Sequence, residues 1–114
     1  MTEIRRIGPG PRMSEAVVHN GIVYLAGQIA KGASVTEQTR GVLAEVDRLL
    51  AEAGTSKARI LTTQIWLVDI GTFGEMNAVW DEWVDRANPP ARWTGEAKLA
   101  TPEYLVEIIV TAAV

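Results

Sequence analysis

Glu107 stands alone as a carboxylate in the run Tyr104-Leu-Val-Glu-Ile-Ile-Val-Thr-Ala-Ala-Val114, an otherwise apolar stretch near the end of the chain. Burying an ionised carboxylate costs several kcal/mol unless a cation or several donors meet it, so Glu107 is expected to find a partner or to line a pocket. Arg92, which follows Pro89-Pro90-Ala91 and opens the preceding β-rich segment, is the nearest candidate. An antiparallel return through a turn at Thr101-Pro102 would bring the two side chains into one region. They would then form a buried ion pair, an intersubunit salt bridge, or a reactive pair. In the last case the Arg guanidinium is a planar fork for a substrate carboxylate, and the Glu holds and polarises a water for attack on an electrophilic carbon. Together they suit hydrolysis of a small acid.

The rest of the chain narrows the setting. Its 114 residues, 47% hydrophobic and 22% charged, suit a single small domain over residues 1–114. A chain of this size folds alone but gains from an oligomeric interface. The net charge is −3, and no basic run exceeds Arg5-Arg6, so nucleic acid is not an expected partner. Cysteine is absent, which excludes disulfides, thiolate metal sites and cysteine nucleophiles. The lone histidine, His19, cannot supply a two-His metal site or a nuclease-type pair, and no metal site is expected. His19 itself reads as an exposed residue before a turn. The opening Met-Thr-Glu-Ile-Arg-Arg lacks the apolar segment of a signal peptide. No apolar stretch approaches the length of about eighteen residues needed for a membrane span. A soluble, cytoplasmic protein is expected.

Several elements must position the two residues. Asn20-Gly21 between two β-rich runs predicts a hairpin with a type I′ turn, and a further strand is expected near Glu3 to Ile7, before the Gly8-Pro9-Gly10-Pro11 break. Ser34 and Glu37 have capping-box spacing ahead of a helical stripe that stops at Gly54, with Gly41 its weak point. Arg59 to Ile70 reads as a strand covered on both faces, with Leu61, Ile65 and Leu67 on one and Ile60, Trp66 and Val68 on the other. Thr72 and Glu75 repeat the capping-box spacing before a second helix striped by Met76, Val79, Trp80 and Trp83. Strands near Ala91 to Leu99 and Tyr104 to Ala113 complete an α+β order, βββαβαββ. Helical crossovers favour a mixed sheet with both helices on one face. The other face needs a cover, and a second copy of the chain is the simplest.

Taken in order, Leu25-Ala26-Gly27-Gln28-Ile29, Glu37-Gln38-Thr39, Trp66-Leu-Val-Asp69 to Phe73, Met76-Asn77-Ala78-Val79-Trp80, Pro90-Ala91-Arg92 and Leu105-Val-Glu107-Ile108 resemble a known pattern. It is that of the reactive intermediate deaminases, the RidA or YjgF-type family often labelled endoribonuclease L-PSP. The resemblance spans nearly the whole chain, and the phrase from Arg12 to Gly21 looks most like a YoaB-like branch. It implies a chorismate-mutase-like fold and a homotrimer with clefts between subunits. For active members it implies hydrolysis of enamine and imine intermediates, such as 2-aminoacrylate, to 2-keto acids and ammonia without metal or organic cofactor. Arg92 falls on the family's carboxylate-binding arginine and Glu107 on the glutamate associated with the attacking water. The enzyme implied is a 2-iminobutanoate/2-iminopropanoate deaminase-like hydrolase. The alternative is a non-catalytic module that binds or senses small carboxylate metabolites in the same cleft.

Four positions depart from the family pattern. Met13 replaces a tyrosine, Ala26 a serine, Thr94 a frequent cysteine, and Trp93 a small residue. Lost hydroxyls remove hydrogen-bonding capacity from the cleft, for which Arg12, Ser14 and Glu15 are possible compensations or simply loop polarity. Gly27 and Gln28 read either as a ligand-approach site or as a β-bulge. Asn77 matches a family asparagine or braces a loop. Trp66, Trp80 and Trp83 read as core, whereas Trp93, beside Arg92, reads as a pocket wall.

Overall fold

Asn20 and Gly21 both take positive φ, 51° and 80°, as a type I′ turn demands, and they join two antiparallel strands in register from Ala16↔Leu25 to His19↔Ile22. The computed structural model describes residues 3–114. Met1 and Thr2, the start of the segment read as lacking a signal peptide, lie outside them. The strands are β1 (Arg5–Ile7), β2 (Ala16–His19), β3 (Ile22–Leu25), β4 (Ile60–Leu67), β5 (Ala91–Glu96) and β6 (Val106–Ala113). The helices are α1 (Val35–Glu52), between β3 and β4, and α2 (Phe73–Trp83), between β4 and β5. The βββαβαββ order therefore holds, with β4, β5 and β6 shorter than the runs that suggested them.

The six strands form one sheet in the order β1-β2-β3-β6-β4-β5. Every neighbouring pair is antiparallel except β4 with β5. Because β3 and β4 both run antiparallel to β6, they are parallel to each other, so each helix crosses between parallel strands. The C-terminal strand is thus central, and β5 is an edge.

Period-two burial decides which face is which. Val106, Ile108, Val110 and Ala112 of β6 are buried with Ile65 and Leu67 of β4, and α1 packs its apolar stripe over β6 and β3. Glu107, Ile109 and Thr111 alternate onto the other side and are only partly buried. The molecule is 20 Å across its shortest axis, which fits one sheet layer and one helix layer and no third. The side bearing Glu107 is open.

Two local expectations need correction. A register shift between Ile60 and Thr62 turns Leu61 outward, where it is 44% exposed, and puts Ile60 in the core with Ile65 and Leu67. The Thr72 hydroxyl does not cap α2 but donates to Asp69 O at 2.6 Å, while Glu75 accepts from the Thr36 amide and hydroxyl at 3.0 and 2.9 Å. The same carboxylate therefore ties the first turn of α2 to the first turn of α1. At α1 the expected cap forms: Ser34 Oγ accepts from Glu37 N at 3.1 Å, and Glu37 in turn accepts from Ala33 N at 2.7 Å. Gly41 also lets α1 approach Ala30 closely, since a Cβ there would come within 2.8 Å of Ala30 Cβ.

Candidate active site

The side chain of Arg92 rises on the helix-bearing face of β5. It pairs with Thr63, which is fully buried under the helices, and directly opposed residues of paired strands share a face. Above it, α2 presents Phe73, Asn77 and Trp80, positions i, i+4 and i+7 of one helical stripe. The guanidinium carbon lies 5.7 Å from the Phe73 ring centroid and 5.3 Å from that of Trp80. Burial lowers the Arg92 pKa, and the charge of Asp81 partly opposes this. Arg92 makes no ion pair among the described residues; those present converge on Arg48. On the same sheet–helix layer, Thr94 Oγ1 and Asn77 Oδ1 are buried and lack a hydrogen-bond partner among the described residues. A cation with unused donors and two unused acceptors therefore share one layer.

Glu107 occupies the opposite face. It pairs with Trp66, and beyond the register shift Thr62, Gln64 and Trp66 of β4 alternate away from the helices. Gly27 makes room for it: a Cβ on Gly27 would stand 2.9 Å from Glu107 Cδ. Trp66 leans the other way, over Gly95, where a Cβ would meet the indole Cζ3 at 2.9 Å. One row across the open face thus reads Gly27, Glu107, Trp66, Gly95, with a glycine beneath each large side chain. Of the two readings of Gly27 and Gln28, the β-bulge is present. Residues 25–27 oppose only Ile109 and Val110 before pairing resumes at Gln28↔Ile108. Gln28 bonds Ile108 through both backbone groups, at 2.9 and 3.1 Å, and its side-chain amide turns back to Ala26 O at 2.8 Å.

The hairpin expected to unite Arg92 and Glu107 does not form. β5 and β6 are not neighbours, because β4 lies between them, and the two side chains leave the sheet on opposite sides. Trp93, opposite Gln64, joins the Glu107 face at 51% exposure and so parts from Arg92, although adjacent in sequence. Ala26 N donates to Glu15 O at 2.9 Å, and Met13 is 57% exposed in the loop between β1 and β2. Of the suggested compensating residues, Glu15 is engaged by Arg48 at 2.7 Å. His19 is partly buried rather than exposed, with its ring near Glu3 O and the Asn20 amide.

Phe73 and Trp80 flank Asn77 at helical spacing; Trp80 is in the core, as its stripe suggests, and also faces Arg92, whereas nothing in the sequence singles out Phe73. Gln38, fully buried on α1, donates to Gly32 O and Glu103 O at 3.1 and 2.9 Å and accepts from Leu105 N at 2.7 Å. It thereby fixes the segment that enters β6 just before Glu107. Two surface hollows, one of about 230 Å³ beside Lys57 and Trp83 and one of about 480 Å³ at residues 98–102, include neither Arg92 nor Glu107 in their walls. Among the described residues no acidic or histidine cluster could hold a metal ion, and no helix is long and apolar enough to cross a membrane.

Comparison with known proteins agrees with this architecture. A family model described as endoribonuclease L-PSP matches residues 3–114. A RutC family protein of Haemophilus influenzae is 46% identical over 112 residues, covering 96% of this chain and 97% of the relative. The RutC family protein YoaB of Escherichia coli is 40% identical over 112 residues, covering 97% and 98%. Among solved structures, a YjgF family protein from Neisseria meningitidis superposes with a TM-score of 0.96 at 48% identity, covering 98% of this chain and 95% of that one.

Proposed function

The chain belongs to the endoribonuclease L-PSP family, the RidA/YjgF-type proteins, and we propose that it hydrolyses small 2-imino acids in clefts formed between copies of itself. The observation that carries this reading is the state of Arg92. Its guanidinium lies against two aromatic rings and has no carboxylate partner among the described residues, so its N–H edges are available to an anion.

The proposed chemistry needs few groups. Arg92 grips the substrate carboxylate and thereby orients the imine carbon, which is already electrophilic. An enamine such as 2-aminoacrylate first tautomerises to its imine. With the imine nitrogen protonated as an iminium, Glu107 takes a proton from a water as the water oxygen bonds to that carbon, giving a neutral carbinolamine. Glu107 then returns that proton to nitrogen, and the C–N bond breaks as the hydroxyl proton leaves to solvent, releasing ammonia and the 2-keto acid.

Because Arg92 and Glu107 leave opposite faces of one sheet, their cooperation requires two copies. Tyr24, Trp66, Ile109 and Trp93 share the open face with Glu107 and give it apolar surface. Exposed apolar patches of this kind mark interaction sites, and Arg92 sits on an edge strand where another copy can reach it. A homotrimer with intersubunit clefts, as the family resemblance implies, would supply the arrangement. Of the other proposed residues, Gly27 lies against Glu107, Ala26 precedes it in the bulge, Thr94 and Asn77 share the layer of Arg92, and Gln28, paired with Ile108, faces the helix side. Met13 and Trp93 would contribute from the cleft rim.

A second reading, carboxylate binding without turnover, is favoured by Ala26, which offers no hydroxyl beside Gly27. The deciding experiment generates imino acids with an amino-acid oxidase beside the protein and traps unhydrolysed imine with semicarbazide. Faster keto-acid formation that disappears with Arg92→Ala supports deamination. No acceleration, in a protein that is nonetheless stabilised thermally by keto acids, supports binding alone.

A further inference from the structure

Core packing does not account for Phe73. Its ring is 40% exposed at the start of α2, yet it lies within 5.7 Å of the Arg92 guanidinium, with Trp80, only 6% exposed, completing the seat. We propose that Phe73 and Trp80 are positioning residues for Arg92, holding the guanidinium through its π-facing surface so that its N–H edges stay aimed at a carboxylate. This rests on the reading of Arg92 as the carboxylate holder and deepens it.

A guanidinium has five N–H donors in its plane, and contact with an aromatic face uses none of them. An ion pair or a hydrogen bond to the protein would orient Arg92 equally well, but at the expense of the donors needed for substrate. Aromatic contact fixes the cation without filling its binding edge.

Both rings are themselves braced. Trp80 packs on Trp83 with centroids 5.4 Å apart at 49°, and Trp83 is anchored by Nε1 to Asp47 of α1 at 2.9 Å and by its carbonyl to Lys57 Nζ at 2.6 Å. Phe73 follows a single 3-10 turn, residues 70–72, in which Asp69 accepts from Gly71 N at 2.8 Å. Glu96, at the end of β5, accepts from Ile70 N at 3.0 Å. The strand that carries Arg92 thus also sets the turn that carries Phe73, and the distance between them is held from both sides.

The test measures calorimetric binding of 2-oxobutanoate to the wild type, Phe73→Leu and Phe73→Tyr, with thermal midpoints for each. Leucine keeps apolar bulk and removes the π face; tyrosine restores it. The expected result is a dissociation constant about three- to tenfold weaker for Phe73→Leu, near the wild-type value for Phe73→Tyr, and unchanged midpoints. In turnover, KM for the imino acid should rise by a larger factor than kcat falls. Wild-type affinity in Phe73→Leu, or equal weakening in Phe73→Tyr, would overturn the positioning role while leaving Arg92 as the carboxylate holder. Failure of the wild type itself to bind 2-oxobutanoate would overturn both.

Discussion

Arg92 and Glu107 stand on opposite faces of one sheet, on strands separated by β4: Arg92 pairs with Thr63 on the helix side, and Glu107 pairs with Trp66 on the open side. No side-chain rotation joins them within a chain. Any reaction that uses both must draw them from two copies, and this relationship shapes the predictions that follow.

Arg92→Lys keeps a cation among the rings but replaces a planar fork with a point charge. Affinity for a 2-keto acid is expected to fall at least about tenfold, since the second hydrogen bond of a bidentate pair is lost. Thermal unfolding should remain close to wild type, because Arg92 has no ion pair among the described residues to break. A large loss of stability would instead assign Arg92 to the scaffold.

Gly27→Ala tests Glu107 without altering its chemistry. The new methyl would meet the carboxylate directly, so Glu107 must move, and a misplacement of about 1 Å is expected to slow imine hydrolysis by up to about a hundredfold. Binding of keto acid through Arg92 should survive. Unchanged turnover would remove Glu107 from the reaction.

Gln38→Leu removes three hydrogen bonds from a fully buried position and leaves Leu105 N–H and two carbonyls without their partner. A loss of about 1–3 kcal/mol is expected in denaturant unfolding. Hydrogen exchange should quicken first at residues 103–105, where the segment enters β6.

Arg48 looks like the strongest electrostatic feature, with Glu15, Glu45 and Glu52 at 2.7, 2.9 and 3.1 Å. Its side chain is 42% exposed, so solvent screens the cluster, and Arg48→Met is expected to cost less than about 1 kcal/mol. Hydrogen bonds to Glu45 and then Glu15 raise the Arg48 pKa. A raised cation is stabilising below its unfolded pKa and loses that contribution only as pH rises through the folded value. While its carboxylate partners stay ionised, the arginine side of this contribution should therefore be constant through neutral pH and disappear only in strong alkali, a dependence readable from unfolding at several pH values.

The element order was legible because each signal was local. Asn20-Gly21 could hardly be anything but a type I′ turn, Ser34 with Glu37 marked a helix start, and Gly54 at φ 86° marked its end. Glu107 was conspicuous for the same reason, as a carboxylate within an apolar strand. The relation between Glu107 and Arg92 is not legible in the sequence, because β5 and β6 are consecutive in the chain but separated in the sheet by β4. Leu61 faces outward because of a one-residue register shift that alternation cannot reveal. Thr72 with Glu75 had the spacing of a cap, but their partners, Asp69 and Thr36, lie outside that local window.

Subunit complementation tests the central claim most directly. Arg92→Ala and Glu107→Gln proteins, each inactive, are mixed, dissociated and reassembled, and keto-acid formation is followed. If each site takes its arginine from one copy and its glutamate from another, random mixing in equal amounts rebuilds about a quarter of the sites, and activity should return in that proportion. A mixture that remains as inactive as its components, while sedimentation shows mixed oligomers, would contradict a site shared between copies.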